Sequence, residues 1–399
     1  TQCCVISIGQ NCRTMNVNKP LTLLGGISPA EFMNTYWQRK PLLVRQAIPE
    51  FKALLSRPEL FDLAEQNEVE SRLVVGSNGG KRDWQMQRGP FKRRAIPKLT
   101  ERDWTLLVQG VDLHDDRVAA LMQQFRFIPD ARLDDVMISY ATEGGGVGPH
   151  FDSYDVFLLQ GHGQRRWRIG RQKDLSLVPD MPLKILANFK PEHDWVLNPG
   201  DMLYLPPRYA HDGIAQGECM TYSIGFRVPQ TGDLARELLV RLSEGAEDAA
   251  GCDLYKDATQ PAVSKPAAMP EGLAEFAKSA LQKALKDTKA LQRALGEYLT
   301  EPKSNVWFEI GDTPHQLKFV RLDRRSKMMY DAHHIFLNGE SWRAAGNDAA
   351  LMRQLADARE LTSLDLAKAS PEALSLLMEW CDDGWLHAGA SKTVTLTRS

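Results

Sequence analysis

His150 and Asp152 stand one residue apart in the run GGGVGPHFDSYDVF (144–157). They are a nitrogen and an oxygen ligand that could reach a single ion. On an extended segment, residues two apart project to the same face, so one rung of backbone presents both. Two mixed ligands hold a transition metal poorly, and the best third is His211, in PGDMLYLPPRYAHDG (199–213). Two imidazoles and one carboxylate form a facial set that suits Fe(II) and leaves three positions open for reactants.

Arg165 is the next chemically loaded residue. In QRRWRI (164–169), strand alternation puts Arg165, Trp167 and Ile169 on one face and turns Arg166 and Arg168 the other way, towards solvent. A guanidinium sharing a face with Trp and Ile needs a counter-charge, because burying it alone is very costly. An internal Asp or Glu would serve. So would the far carboxylate of a dicarboxylate cosubstrate, held through a bidentate fork. In the second case 2-oxoglutarate would use two metal positions and O2 the third, and an unactivated C–H bond would be oxidised.

The elements that position these residues read as short strands. Val136–Tyr140 enters the glycine-rich run, and segments 155–160, 164–169, 194–197, 201–205 and 220–227 follow. Gly161, Gly163, Pro199-Gly200, Pro206-Pro207, Gly213 and Gly217 punctuate them. Many short strands with turn signals between them predict a β-barrel or double-sheet jelly roll. Upstream, Ser28-Pro29-Ala30-Glu31 reads as a helix start and a second helix begins near Pro58. Ser71–Val75 and Trp84–Gln87 read as strands joined by a turn at Asn78-Gly79-Gly80. Beyond Pro229 the pattern turns helical. A linker spans 249–270, and 271–300 reads as one long amphipathic helix. The last hundred residues alternate strands and helices, with a hairpin at Asn338-Gly339, helices over 347–356 and 371–382 and a closing strand over 393–397. That is the pattern of a winged-helix-like α/β unit.

Composition narrows the function. The chain has 399 residues, 25% charged, with a net charge of −2, so no global field draws it onto nucleic acid or anionic lipid. No apolar run approaches a membrane span. Six scattered cysteines, without CxxC pairs, fit a reducing cytosol; Cys3, Cys4 and Cys12 sit in what reads as a leader. The basic cluster Arg321, Arg324, Arg325 and Lys327 is broken by Asp323 and reads as a solvated hairpin rather than a nucleic-acid patch.

HFD, the Arg fifteen positions after the first His, and GDMLYLPPRYAH resemble the JmjC-type 2-oxoglutarate- and Fe(II)-dependent oxygenases. The run MISYATEGGGVGPHFDSYDVFLLQGHGQRRWRIG, with SRLV (71–74) and DDVMIS (134–139), is closest to their bacterial ribosomal oxygenases. The resemblance implies a mainly β double-stranded β-helix (cupin/JmjC jelly roll), an α-helical dimerisation region and a C-terminal winged-helix-like α/β domain. After a leader (1–20), these would occupy 21–230, 231–300 and 301–399. It implies Fe(II), 2-oxoglutarate and O2 as cofactors, His150, Asp152 and His211 as iron ligands, and Arg165 as the 2-oxoglutarate anchor. It further implies a cytoplasmic homodimer, without a membrane or specific DNA partner, that hydroxylates the β-carbon of an arginine in ribosomal protein 16 of the large subunit. Such a substrate calls for acidic or aromatic groups near the metal, and Tyr154 and Asp155 are candidates by proximity. The competing expectation for Asp155 is a surface pair with Arg166 or Arg168. The competing functions are a hydroxylase or demethylase of another protein, acting on histidine or a methylated residue, a non-catalytic cupin scaffold on the ribosome, and a winged-helix transcription factor.

Overall fold

The computed structural model describes residues 15–76, 84–311, 316–343 and 345–389. The N-terminal layer carries α1 (Pro29–Thr35), β1 (Leu42–Val44) and α2 (Arg57–Ala64). Ser28 caps α1 by accepting from the Glu31 N–H, and Ser56 and Glu59 form a reciprocal capping box on α2. There follow β2 (Ser71–Val75), β3 (Gln85–Arg88), β4 (Trp104–Val108), α3 (Asp116–Gln123), β5 (Leu133–Ala141), β6 (Val156–Gly170), β7 (His193–Leu197), β8 (Met202–Leu205) and β9 (Ala210–Phe226). The turn expected at Asn78-Gly79-Gly80, the closing strand over 393–397, and Cys3, Cys4 and Cys12 lie outside the described residues.

These strands form one antiparallel sheet in the order β1-β8-β6-β9-β5-β4-β2-β3, with β7 added on β6. What reads in the sequence as two strands over 155–160 and 164–169 is the single strand β6. Its register to β9 shifts between Gln160 and His162 and again between His162 and Gln164. Those shifts bend it, as bulges do. The first half pairs with β8 and the second with β7, so one strand serves both walls of a roll. One face of the sheet packs Phe157, Tyr204 and Tyr222 against Phe32, Trp37 and Phe51 of the N-terminal layer. The other packs Val156, Leu158, Trp167, Ile169 and Leu203. This is the expected jelly roll.

After the roll come α4 (Thr231–Ser243), α5 (Ala246–Ala250), α6 (Glu271–Ala284) and α7 (Thr288–Thr300). The single helix expected over 271–300 is two. Asp287 adopts an extended backbone and caps α7 through the Lys289 and Ala290 N–H groups, so a local cap overrode the amphipathic period. The C-terminal unit holds β10 (Val320–Leu322), β11 (Met328–Tyr330), β12 (His334–Leu337), β13 (Glu340–Arg343), α8 (Gly346–Ala358), β14 (Glu360–Leu361), α9 (Ser363–Leu366), α10 (Pro371–Asp382) and β15 (Leu386–Ala388). It has its own core, around Val320, Leu337, Leu355, Leu377 and Trp380. Asn338 and Gly339 both have positive φ and close the β12–β13 hairpin in two residues, as the dipeptide predicts.

The basic cluster is not a solvated hairpin. Arg324 donates to the Leu113 carbonyl at 2.8 Å and pairs with Asp116 at 3.0 Å, and Arg325 donates to the same carbonyl at 3.1 Å. These contacts dock the C-terminal unit on the roll. Replacing Arg324 and Arg325 together with Ala should lower stability by about 1 kcal/mol, a modest loss because Asp116 is half-exposed. It should also speed amide exchange in β10 and β11 while leaving β6 and β9 protected, read by hydrogen-exchange mass spectrometry.

Candidate active site

The glycines before His150 shape the chain for its own packing. A Cβ on Gly145 would lie 2.3 Å from the Trp104 carbonyl oxygen. Gly148 has φ +77, and a Cβ there would press on Ile185 and Trp84 at 3.2 Å. Ile185 belongs to the loop between β6 and β7, which the Leu186 N–H ties to the Pro149 carbonyl at 2.8 Å. The loop therefore roofs the ligand segment, and Gly145 and Gly148 admit neighbouring parts of this chain.

His150 and His211 exchange two backbone hydrogen bonds, of 2.9 and 2.8 Å, across an isolated bridge. Their ring centroids are 4.3 Å apart. Nδ1 of His150 meets the Gly148 carbonyl at 2.8 Å, and Nδ1 of His211 meets that of Tyr209 at 3.0 Å. A carbonyl only accepts, so each Nδ1 carries the proton and each Nε2 presents a lone pair. Asp152 completes the group. Its Oδ2 lies 3.6 Å from His211 Nε2, and one ligand atom from each of the three residues falls within 4.8 Å of the others. The Arg208 N–H holds the Asp152 carbonyl at 2.7 Å. Burial, together with the nearby His150, pushes His211 down to about 4 against the pull of Asp152. His211 is thus neutral at physiological pH, the form that binds a metal. Two imidazoles and a carboxylate converging on one point fit Fe(II).

Arg165 sits on the same face of β6 as Trp167 and is 5% exposed. Nη1 donates to Ser139 Oγ at 2.9 Å and Thr221 Oγ1 at 3.4 Å, and Nε has no partner. Among the described residues no carboxylate pairs with it, whereas its neighbours Arg166 and Arg168 pair with Asp194 and Asp212. Of the two partners the sequence allowed, the internal carboxylate is therefore absent from the described residues. Arg165 is opposite Ala215, and Ile169 opposite His211, in the β6–β9 register. Four residues of strand separate the two positions, about 13 Å between Cα atoms. Two inward side chains and a five-carbon dicarboxylate can bridge that gap.

Tyr154 is 40% exposed beside the triad, with its hydroxyl on the Asp152 carboxylate. Asp155 is a correction. It is fully buried, accepting from Tyr204 Oη at 2.6 Å and Gln38 Nε2 at 3.0 Å, with Arg132 at 3.4 Å. It neither faces the triad nor pairs with Arg166 or Arg168; it ties the N-terminal layer to β8. Proximity misled because adjacent residues point to opposite sides of an extended chain.

The acid on Tyr154's side is Asp135. Val136, Ile138 and Tyr140 pack into the N-terminal core, so Asp135, Met137 and Ser139 line the opposite face of β5. Asp135 accepts from Gln109 Nε2 at 2.8 Å, Gln109 in turn accepts from Arg72 at 3.3 Å, and the negative charge of Asp135 reaches Tyr154. Alternation over 134–139 divides these residues between two faces, but the strand reading of Val136–Tyr140 did not say which face turns to the triad.

A JmjC domain model matches residues 120–234, and a ROXA-like winged-helix model matches residues 283–387. The chain is 35% identical over 289 residues to the ribosomal protein uL16 3-hydroxylase of Escherichia coli, covering 72% of this chain and 75% of that protein. The chain belongs to the ribosomal oxygenase family. It is also 31% identical to a probable ribosomal oxygenase of Haemophilus influenzae, covering 90% of this chain and 96% of the relative. Among solved structures, the E. coli ribosomal oxygenase YcfD in complex with cobalt and 2-oxoglutarate superposes with a TM-score of 0.76 at 30% identity, over 90% of this chain and 97% of that one. The jelly roll and winged helix expected from the sequence are those of this family, and the chain is a 2-oxoglutarate-dependent dioxygenase by that membership.

Two outcomes follow. His150→Ala should abolish the thermal stabilisation given by Co(II) and all 2-oxoglutarate turnover. Arg165→Met should raise KM for 2-oxoglutarate about 100-fold, through loss of a charge-assisted pair, while Co(II) stabilisation persists; spectroscopic metal titration and succinate release read the two effects.

Proposed function

We propose that this protein hydroxylates the β-carbon of an arginine in ribosomal protein uL16, using Fe(II), 2-oxoglutarate and O2. The observation that carries the reading is a buried arginine that meets no carboxylate among the described residues, on the same wall as a converged two-histidine, one-carboxylate group. His150, Asp152 and His211 hold the iron, which supplies O2 activation and C–H oxidation. Arg165, with Ser139 and Thr221, takes the outer carboxylate of 2-oxoglutarate. The Gly148 and Tyr209 carbonyls fix both imidazole rings. The loop bearing Ile185 covers the ligand segment and limits water there.

The acceptor side is Asp135, Met137 and Tyr154. A carboxylate and an aromatic ring are what a guanidinium needs. This favours arginine over histidine as the target, because neutral imidazole gains little from a buried anion. A ribosomal substrate supports a cytoplasmic location; no helix among the described residues is long and apolar enough to cross a membrane.

The working units are a catalytic roll over 21–230, a helical region over 231–300 and a winged-helix unit over 301–399. The helical region is where a homodimer forms. None of the residues of α4, α5 and α6 is buried, and Leu239, Val240, Leu273, Leu281 and Leu285 are exposed on amphipathic helices. Such a face calls for a partner. No specific DNA contact is expected of the winged helix, because Arg324 and Arg325 are engaged with the roll.

Incubating uL16 with the enzyme, Fe(II) and 2-oxoglutarate should add the mass of one oxygen to an arginine peptide, with one succinate per oxygen. No mass change, or formaldehyde release, would overturn the reading. A Leu281→Glu/Leu285→Glu variant should sediment as a monomer where the parent sediments as a dimer.

A further inference from the structure

Lys303 lies just beyond α7, outside the jelly roll, yet its ammonium reaches two acids of β5 in the roll. It is 2.9 Å from Asp134 Oδ1 and 3.4 Å from Asp135 Oδ2. Asp135 is 5% exposed at its side chain, and Lys303 is the cation within ion-pair distance of it among the described residues. Three carboxyls crowd here. Asp134 is shared between Lys303 and Arg227, the latter at 3.3 Å, and Asp112 is buried behind, accepting from the Val136 N–H at 2.7 Å. On the remaining sides of Asp135 stand Gln109, linked to Arg72, and the Tyr154 ring; Lys327 lies nearer to Asp134 and Asp112.

We propose that Lys303 is a positioning residue for the protein substrate: it keeps Asp135 ionised and in place, so that Asp135 can take the guanidinium. This rests on Asp135 being the guanidinium acceptor, as read above. The physical reason is crowding. Burial drives the Asp135 carboxyl upward, Lys303 opposes it, and Asp134 adds to the rise. Asp112 shows where a carboxyl goes in this pocket: burial and the Asp135 charge push it up to about 7 despite Lys303. A carboxyl that gains a proton near neutral pH loses its attraction for an arginine. A neutralising cation from the segment between α7 and the winged helix prevents that. It also makes the C-terminal part of the chain a contributor to the active site, although it supplies no metal or 2-oxoglutarate contact.

The test compares the full-length protein with Lys303→Met, in KM and kcat for uL16 between pH 6 and 9. Removing the lysine lets Asp135 take a proton at higher pH, so KM must rise as pH falls, with its onset about one pH unit higher than in the parent. At pH 7, KM for uL16 should rise about tenfold, the effect of one screened charge. The saturating kcat and the uncoupled turnover of 2-oxoglutarate should stay within about twofold. Lys303→Arg should restore the parent profile; Lys303→Gln, which keeps a hydrogen-bond donor without the charge, should behave like Lys303→Met and serves if the Met variant fails to fold. An unchanged KM and pH profile in well-folded Met and Gln variants would overturn the proposal. Asp135→Asn separates the two claims. If it leaves KM for uL16 unchanged, the acceptor reading fails; if it raises KM while the Lys303 variants do not, only the role of Lys303 fails.

Discussion

Two backbone hydrogen bonds between His150 and His211 hold the start of one long strand's partner against the loop that precedes the other. The site depends on them. They bring both imidazoles to one spot, set each ring against a carbonyl that fixes its tautomer, and leave Asp152 two residues along on the same side. The bonds are possible because β6 and β9 pair over nearly their whole length. Register in that pair is therefore a chemical variable. A slip of one residue would turn Arg165 outward and Arg166 inward, removing the proposed cosubstrate anchor while leaving the fold almost unchanged in composition. The two bulges at Gln160–Gln164 let a single strand bend around the roll without losing that register.

The arrangement of charge follows the same division of faces. Arg166 and Arg168 meet Asp194 and Asp212 on the face away from the triad, whereas the hydrogen-bond partners of buried Arg165 among the described residues are hydroxyls. Among the described residues that guanidinium meets no carboxylate, a cost that the arrival of one would offset. Asp155 and Asp135 show the converse. Both are buried acids, but Asp155 is surrounded by Tyr204, Gln38 and Arg132 and serves as architecture, while Asp135 is held by Gln109 and Lys303 with its charge reaching Tyr154. The Arg324–Arg325 pair reads as part of a solvated hairpin in sequence and acts as a clasp between two units in space.

How much of this was legible depended on distance along the chain. The metal set was readable because two ligands are two residues apart and the third lies in a proline-punctuated phrase of unusual composition. Arg165 was readable because alternation within six residues assigns its face. The α6–α7 break, the clasp and the inward face of Asp135 were not readable. Each turns on a competition that the local pattern does not contain: a cap against an amphipathic period, a carbonyl of a distant turn against solvent, one sheet face against the other.

The sequence by itself determined which atoms could bind a metal, which arginine needed a partner, where helices and hairpins begin and the family to which the chain belongs. These are properties of residue type and short spacing, governed by backbone periodicity and the high energy of burying charge. Only the tertiary structure decided that Asp155 is a strut and Asp135 a candidate acceptor, that two of the glycines make room for Trp104 and Ile185 of the chain itself, and that Lys303 reaches an acid some 170 residues earlier. Such pairings depend on which distant segments the folded sheet brings within a few ångströms, and neither periodicity nor composition encodes that distance.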